Sequence, residues 1–230
     1  MNSFGKLTLG AVPIGDFKDS SLNLIDYIIN HDIILVESLD PFNNLCKNLN
    51  INTNAKIIDY GNHDQVDRIQ YYIDILKSGT DILVLSDEGT AGIIDPGGLL
   101  LRVAREEGIP VKVMPGPNSI IPSFVLSQFG YRFYFHGPSF DDDERKISFR
   151  DLANYEFPMI FFVTNDYLGN FISDAKEFFG GKRKVSVASN MTRPNEFIVY
   201  TTIDELYSYW NNGKMNTHIT LTIEGKPPHQ

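Results

Sequence analysis

Two short loops hold the residues best suited to chemistry. Ser86-Asp87-Glu88-Gly89-Thr90 follows the apolar run Asp81 to Leu85, and Asp95-Pro96-Gly97-Gly98 opens a helical pattern, Leu99 to Glu107. Gly108-Ile109-Pro110 stops that pattern, an apolar strand runs from Val111 to Met114, and Pro115-Gly116-Pro117 ends it. The stretch from Val84 to Gly116 therefore reads as strand, loop, helix, strand, with glycine-containing loops at the carboxyl ends of both strands. Open α/β sheets bind ligands at that edge. No nucleophile–base–orienter set accompanies these loops. The five histidines (His31, His63, His136, His218, His229) are scattered, no serine lies in a nucleophile-elbow pattern, and Gly10 to Gly15 is not followed by a GxxxxGK[ST] phosphate loop. Glycine-rich strand ends with few charges suit an adenosine-type ligand held by backbone groups. They suit less a reaction that needs strong acid–base residues.

The elements that must position these loops alternate almost throughout, which predicts an α/β class. Strands are expected at Leu7 to Val12, Ile33 to Val36, Lys56 to Asp59, Phe133 to His136, Met159 to Val163, Lys184 to Ser189, Glu196 to Thr201 and Thr217 to Ile223. Helices are expected at Ser21 to Asn30 with Ser20 or Ser21 as N-cap, and at Phe42 to Leu49, Asp64 to Lys77, Asn118 to Phe129, Tyr167 to Phe179 and Ile203 to Trp210. Several later strands are β-branched and alternating, as antiparallel strands with one wet face are. A shift to polar, acidic composition after Pro138 places a domain boundary there, giving domains 1–137 and 138–230. The acidic run Asp141 to Glu144 reads either as a metal chelator or as an acidic helix start, and the lysine and arginine that follow favour the second.

Bulk properties narrow the class. The chain has 230 residues, 42% of them hydrophobic, with a net charge of −9 and a pI of about 5.0. That allows a sizeable core and argues against a broad basic footprint for nucleic acid. The single cysteine, Cys46, cannot form an intrachain disulfide and reads as a half-buried helical thiol. No Cys/His cluster has zinc-ligand spacing, so no metal is expected. No signal-peptide pattern and no membrane-length apolar run occurs, so a soluble, cytoplasmic protein without membrane association is expected.

The motifs in order resemble the tetrapyrrole methylase superfamily of S-adenosylmethionine-dependent methyltransferases. Within it they are most like the group that methylates a ribose 2′-hydroxyl of small-subunit ribosomal RNA, and its shorter relatives. Val12-Pro13-Ile14-Gly15-Asp16 resembles that group's TPIGN motif, and Val36-Glu37-Ser38 its AEDTR strand end. Ser86 to Thr90 with Asp95-Pro96-Gly97 resembles SDAGTP…DPG, and Met114 to Ser119 resembles the PGPSA turn. Ala188 to Arg193, followed by Glu196-Phe197, resembles ARELTK…HE, and Ile223-Glu224-Gly225 the closing strand. The resemblance runs from about Leu7 to Gly225. It implies a two-domain α/β fold, with a mostly parallel N-terminal sheet, a mixed C-terminal sheet and the cofactor in the cleft between. It further implies S-adenosylmethionine contacts from Pro13, Asp87, Gly89, Asp95, Asn118, Ser119, Phe162, Val163, Asn190 and Met191.

The departures from the family pattern concern the acceptor. Asp40 stands where the family has the arginine of AEDTR, Glu88 where it has a small alanine, and Asn190 where it has a glutamate. Val163 to Tyr167 replaces the YESPHR stretch without its basic residue. A hydroxyl acceptor gains from a nearby base, for which Glu37 and Asp95 are the candidates. Asp95 reads equally as a cap for the helix at Leu99. Three functions stay open: a methyltransferase on RNA of the small ribosomal subunit, a methyltransferase on a small molecule or peptide, and a non-catalytic cofactor-binding module. A homodimer is expected from the resemblance and from the aromatic-rich second half, where Phe157, Phe161, Phe162, Phe171, Phe178, Phe179, Tyr207, Tyr209 and Trp210 exceed what a small domain readily buries.

Overall fold

The structure, a computed structural model, describes residues 3–61, 66–94, 96–139, 141–213, 215 and 217–226. The chain folds as two compact units, Met1–Asn118 and Ser119–Gln230.

The first unit alternates strand and helix: β1 (Leu7–Leu9), β2 (Ala11–Val12), α1 (Leu22–Asn30), β3 (Ile33–Val36), α2 (Leu39–Leu49), β4 (Lys56–Asp59), α3 (Val66–Lys77), β5 (Ile82–Leu85), β6 (Gly89–Thr90), α4 (Gly98–Glu106) and β7 (Val111–Val113). Five strands form one sheet in the order β4-β3-β5-β1-β7, every pairing parallel. Both sheet faces are covered, which is why β3 and β5 read as unbroken apolar runs. On one face Leu7, Leu9, Leu35 and Val84 pack with Ile69 and Ile73 of α3 and Leu100 and Ala104 of α4. On the other Ile34, Val36, Leu83 and Leu85 pack with Leu24 and Ile28 of α1 and Phe42 and Leu45 of α2. Ser21 caps α1 through Leu24 N–H at 3.1 Å, and Cys46 is half-buried on α2, its thiol pushed up by burial. The expected single strand Leu7 to Val12 is two strands broken at Gly10, where a Cβ would strike the Leu85 side chain. β2 leaves the sheet there and pairs with β6 as a short antiparallel ribbon, Val12 opposite Gly89.

The second unit holds α5 (Ile120–Ser127), β8 (Tyr134–Pro138), α6 (Asp142–Leu152), β9 (Met159–Val163), α7 (Asn165–Phe179), β10 (Lys184–Ser189), β11 (Phe197–Thr202), α8 (Ile203–Asn211) and β12 (Ile219–Ile223). Its sheet runs β11-β10-β12-β9-β8, antiparallel except for the parallel β8–β9 pair. Asp141 caps α6 through the Glu144 N–H at 2.8 Å, so the acidic run is a helix start.

Three expectations change here. The units divide after Asn118, not near Pro138, because α5 packs on β10 and β12 through buried Ser123 and Ser127. The wet face is confined to edge strand β11, where Ile198 and Tyr200 are exposed; every residue of β12 is buried, Thr220 and Thr222 included, as is Ser186 of β10. Most of the aromatic rings are core: Phe161, Phe171 and Phe179 are buried with Phe149, and Phe178, Tyr209 and Trp210 pack against them, while Tyr207 is exposed.

Candidate functional site

Because the first sheet is parallel, the loops after β1, β3, β5 and β7 leave from one edge, the ligand edge of such sheets. Gly89 is where three of them meet. It has φ +74°, and a Cβ there would lie 3.6 Å from Ile14 Cγ2, 3.8 Å from the Pro117 carbonyl oxygen and 3.9 Å from Asn118 Cα. The β2–β6 ribbon holds buried Pro13 beside this point. Thr90 Oγ1 donates to the Pro117 carbonyl at 3.3 Å, and Asn118 Nδ2 to the Gly116 carbonyl at 3.4 Å. A Cβ on Gly116 would approach Ala11 Cβ to 2.6 Å, so only glycine lets the loop after β7 lie this close to β2.

The loop after β5 is built from its own side chains. Buried Ser86 donates to the carbonyls of Glu88 at 3.2 Å and Gly89 at 3.3 Å. Asp87, half-buried, is tied to the end of β3: its N–H donates to Glu37 Oε2 at 2.9 Å, and its Oδ2 accepts from Ser38 Oγ at 2.8 Å. Burial pushes the Glu37 carboxyl upward against the Asp87 N–H, and the negative charges of Asp87 and Glu88 add to the rise. Pro13, Asp87, Gly89 and Asn118 are thus brought together, with Glu37 beside them. Asp95 lies outside the described residues.

The remaining candidates belong to the second unit. Val163 and Ser189 pair with opposite sides of Ile219, so the ends of β9 and β10 flank the start of β12. Phe162, Val163, Asn190 and Met191 therefore share one end of this sheet. Asn190 is buried with φ +52°, a conformation asparagine tolerates. Its N–H donates to the His218 carbonyl at 3.3 Å and its Oδ1 accepts from Thr217 Oγ1 at 2.8 Å. Thr192, with φ +63°, has its N–H held by Glu196 Oε2 at 2.6 Å. Ser119 precedes α5 without a side-chain capping bond.

Ser139 lies in no motif, and Ser38, though part of the strand-end motif, is given no role by it. Ser139 is buried at the same sheet end as Phe162, whose carbonyl accepts its N–H at 3.2 Å. Ser139 directly follows the end of β8 and Ser38 lies two residues past the end of β3, placements too common to single either out. The set fits a nucleoside-type cofactor: a half-buried carboxylate on Asp87, the Asn118 amide, and glycine- and proline-bounded loops that bring backbone close. Charges that would repel a sulfonium are absent from the set.

The ribosomal RNA small subunit methyltransferase I of Rickettsia prowazekii is 34% identical over 222 residues, covering 95% of this chain and 78% of that protein. Its namesake in Mycobacterium tuberculosis is 29% identical over 229 residues, covering 99% and 80%. Among solved structures, uroporphyrin-III-C-methyltransferase from Thermus thermophilus superposes with a TM-score of 0.67 at 15% identity, covering 96% of this chain and 94% of that one. A cobalt precorrin-4 methyltransferase superposes with a TM-score of 0.69 at 14% identity, covering 96% of each. The family described as tetrapyrrole (corrin/porphyrin) methylases matches residues 6–207, and the chain belongs to it, a family of S-adenosylmethionine-dependent methyltransferases.

Proposed function

We propose that the protein methylates a ribose 2′-hydroxyl of small-subunit ribosomal RNA with S-adenosylmethionine as donor. The observation that carries this reading is the match to small subunit methyltransferases over 95–99% of the chain. When bound, the cofactor supplies a methyl group made electrophilic by its sulfonium. The chain's task is then to hold donor and acceptor in line, and proximity supplies much of the acceleration. Pro13, Asp87, Gly89, Asp95 and Asn118 of the first unit and Ser119, Phe162, Val163, Asn190 and Met191 of the second are the proposed cofactor contacts. Asp87 is the group suited to cofactor hydroxyls or an ammonium, and the loop backbones around Gly89 and Pro117 to a base. Calorimetry is expected to give micromolar S-adenosylhomocysteine binding, about −8 kcal/mol. No heat and no thermal shift at millimolar ligand would sink this reading.

A small acceptor is the second reading, favoured by the acidic residues that replace family positions. Two of these charges have structural work: Asp40 and Asp166 sit in the first turns of α2 and α7, where carboxylates complement the helix dipole. Only Glu88 stands in the cofactor loop. Parallel assays on isolated small-subunit RNA, small ribosomal subunits and a small-molecule extract separate the readings. With 29 acidic against 20 basic residues, binding to naked RNA should be weak and salt-sensitive, and transfer should need the subunit. Labelling confined to the small-molecule fraction excludes RNA. A homodimer stays part of the proposal, supported by exposed Ile121 and Val125 on α5 and Ile198 and Tyr200 on edge strand β11. Light scattering near 26 kDa at all micromolar concentrations would remove it.

A further inference from the structure

We propose that Glu37 and Ser38 are positioning residues that preset the cofactor loop by holding Asp87 at two points, and that Glu37 is not the base of the reaction. The inference rests on the methyltransferase reading above. Strand β3 ends at Val36, and the next two residues send both side chains across to the loop after β5. Glu37 takes the Asp87 N–H, and Ser38 donates its hydroxyl to the Asp87 carboxylate. The backbone closes the same seam, with Glu37 N–H on the Leu85 carbonyl at 3.0 Å and Gly61 N–H on the Glu37 carbonyl at 3.1 Å.

Ser38 supplies the second line of argument. It is the N-cap residue of α2, yet its side chain makes no capping bond. A serine at that position normally accepts from an N–H of its own helix. Here the hydroxyl is turned away from α2 and onto Asp87, so the helix start goes without a side-chain cap while the loop residue is fixed. Glu37 is arranged likewise. Its Oε2 already accepts a backbone hydrogen in a half-buried seam, and removing that acceptor would strand the Asp87 N–H. A carboxylate held at one oxygen, on a backbone that is itself tied down, presents its other oxygen in one direction. That is the preorganisation a binding group needs from its supporting residues.

The test compares Glu37→Gln, Glu37→Ala and Ser38→Ala with the wild-type full chain. Hydrogen exchange of the amides at 87–90, measured without ligand, reads the anchoring directly. S-adenosylhomocysteine titration reads its effect on the cofactor. Glutamine keeps an acceptor oxygen, so Glu37→Gln should bind within about threefold of wild type, whereas Glu37→Ala should bind about tenfold or more weakly with faster exchange at 87–90. Ser38→Ala, which removes one hydroxyl and no charge, should show the same two changes at smaller size, severalfold in affinity by the same reasoning. Unchanged exchange at 87–90 in Glu37→Ala would overturn the anchoring. A loss of kcat of about a hundredfold in Glu37→Gln with unaltered affinity would make Glu37 the base instead. If the wild type fails to bind S-adenosylhomocysteine, the methyltransferase reading falls while the exchange result still judges the anchor.

Discussion

Gly89 shows how much one residue's backbone decides. Its φ of +74° is one that L side chains adopt at a cost of roughly 1–2 kcal/mol, and a β-branched side chain is the least tolerant. A Cβ at Gly89 meets only ordinary contact distances, the nearest 3.6 Å from Ile14, so a substitution acts through the backbone more than through crowding. Gly89→Val should therefore displace the loop and weaken S-adenosylhomocysteine binding about five- to thirtyfold, by the same roughly 1–2 kcal/mol. Far-ultraviolet circular dichroism should stay near wild type, because β6 is only two residues long. Normal binding by that variant would mean the loop is structural. Asp87 and Gly89 are legible in the sequence because a motif of fixed order carries them. The contacts that hold Asp87 are not: Ser38 lies in the strand-end motif, but nothing in the sequence shows that its partner is 49 positions away.

At the scale of elements, legibility follows periodicity. Strands β3, β4, β9 and β10 have the bounds their sequence implies, since each is a compact apolar or β-branched run between turn signals. The β2–β6 ribbon has two residues on each side, too few for any period to show. Helix α2 begins three residues earlier than Phe42, because Pro41 sits in its first turn, where a missing N–H leaves no bond unmade. Helix α6 carries a feature invisible to pattern reading. Arg145, 1% exposed, donates from Nε and Nη2 to Asp174 Oδ2 of α7 at 2.8 and 2.6 Å, and also pairs with Asp142. Its hydrogen bond, helped by one from Asn170, holds the exposed Asp142 carboxyl below its ordinary value. Removing one partner of a buried pair strands the other, typically costing 3–5 kcal/mol, whereas replacing both by apolar groups is often neutral. Arg145→Met and Asp174→Leu should each lower the urea midpoint markedly, and the double variant should be more stable than either. Additive losses in the double variant would contradict this account.

For the whole molecule, proton uptake links pH to stability with opposed signs. Burial depresses His31 and His136 below the ordinary histidine value, about 6.5. Between that value and their lower folded ones, the unfolded chain binds protons that the folded chain refuses, so stability falls as pH drops. Glu37 works the other way: its raised carboxyl takes a proton more readily when folded, so its ionisation lowers stability as pH rises. Urea midpoints should fall from pH 7 to pH 5.5, and His31→Asn/His136→Asn should flatten that fall. An equal fall in the double variant would assign the acid sensitivity elsewhere.

The place of β1 in its sheet also has a consequence in time. Its partners are β5 and β7, so Leu7 pairs with Ile82 and Val111, residues made long after it. On the ribosome this apolar strand has no partner until β5 has emerged and only one until β7 has, and contacts of such sequence separation form slowly. The first strand of the chain is thus completed on both sides only by the last strand of its sheet. Nascent chains halted before Val111 should be protease-sensitive across their whole first sheet. Those long enough to expose Asn118 should acquire a protected core before the second unit exists, because domains tend to fold as units in the order they are made.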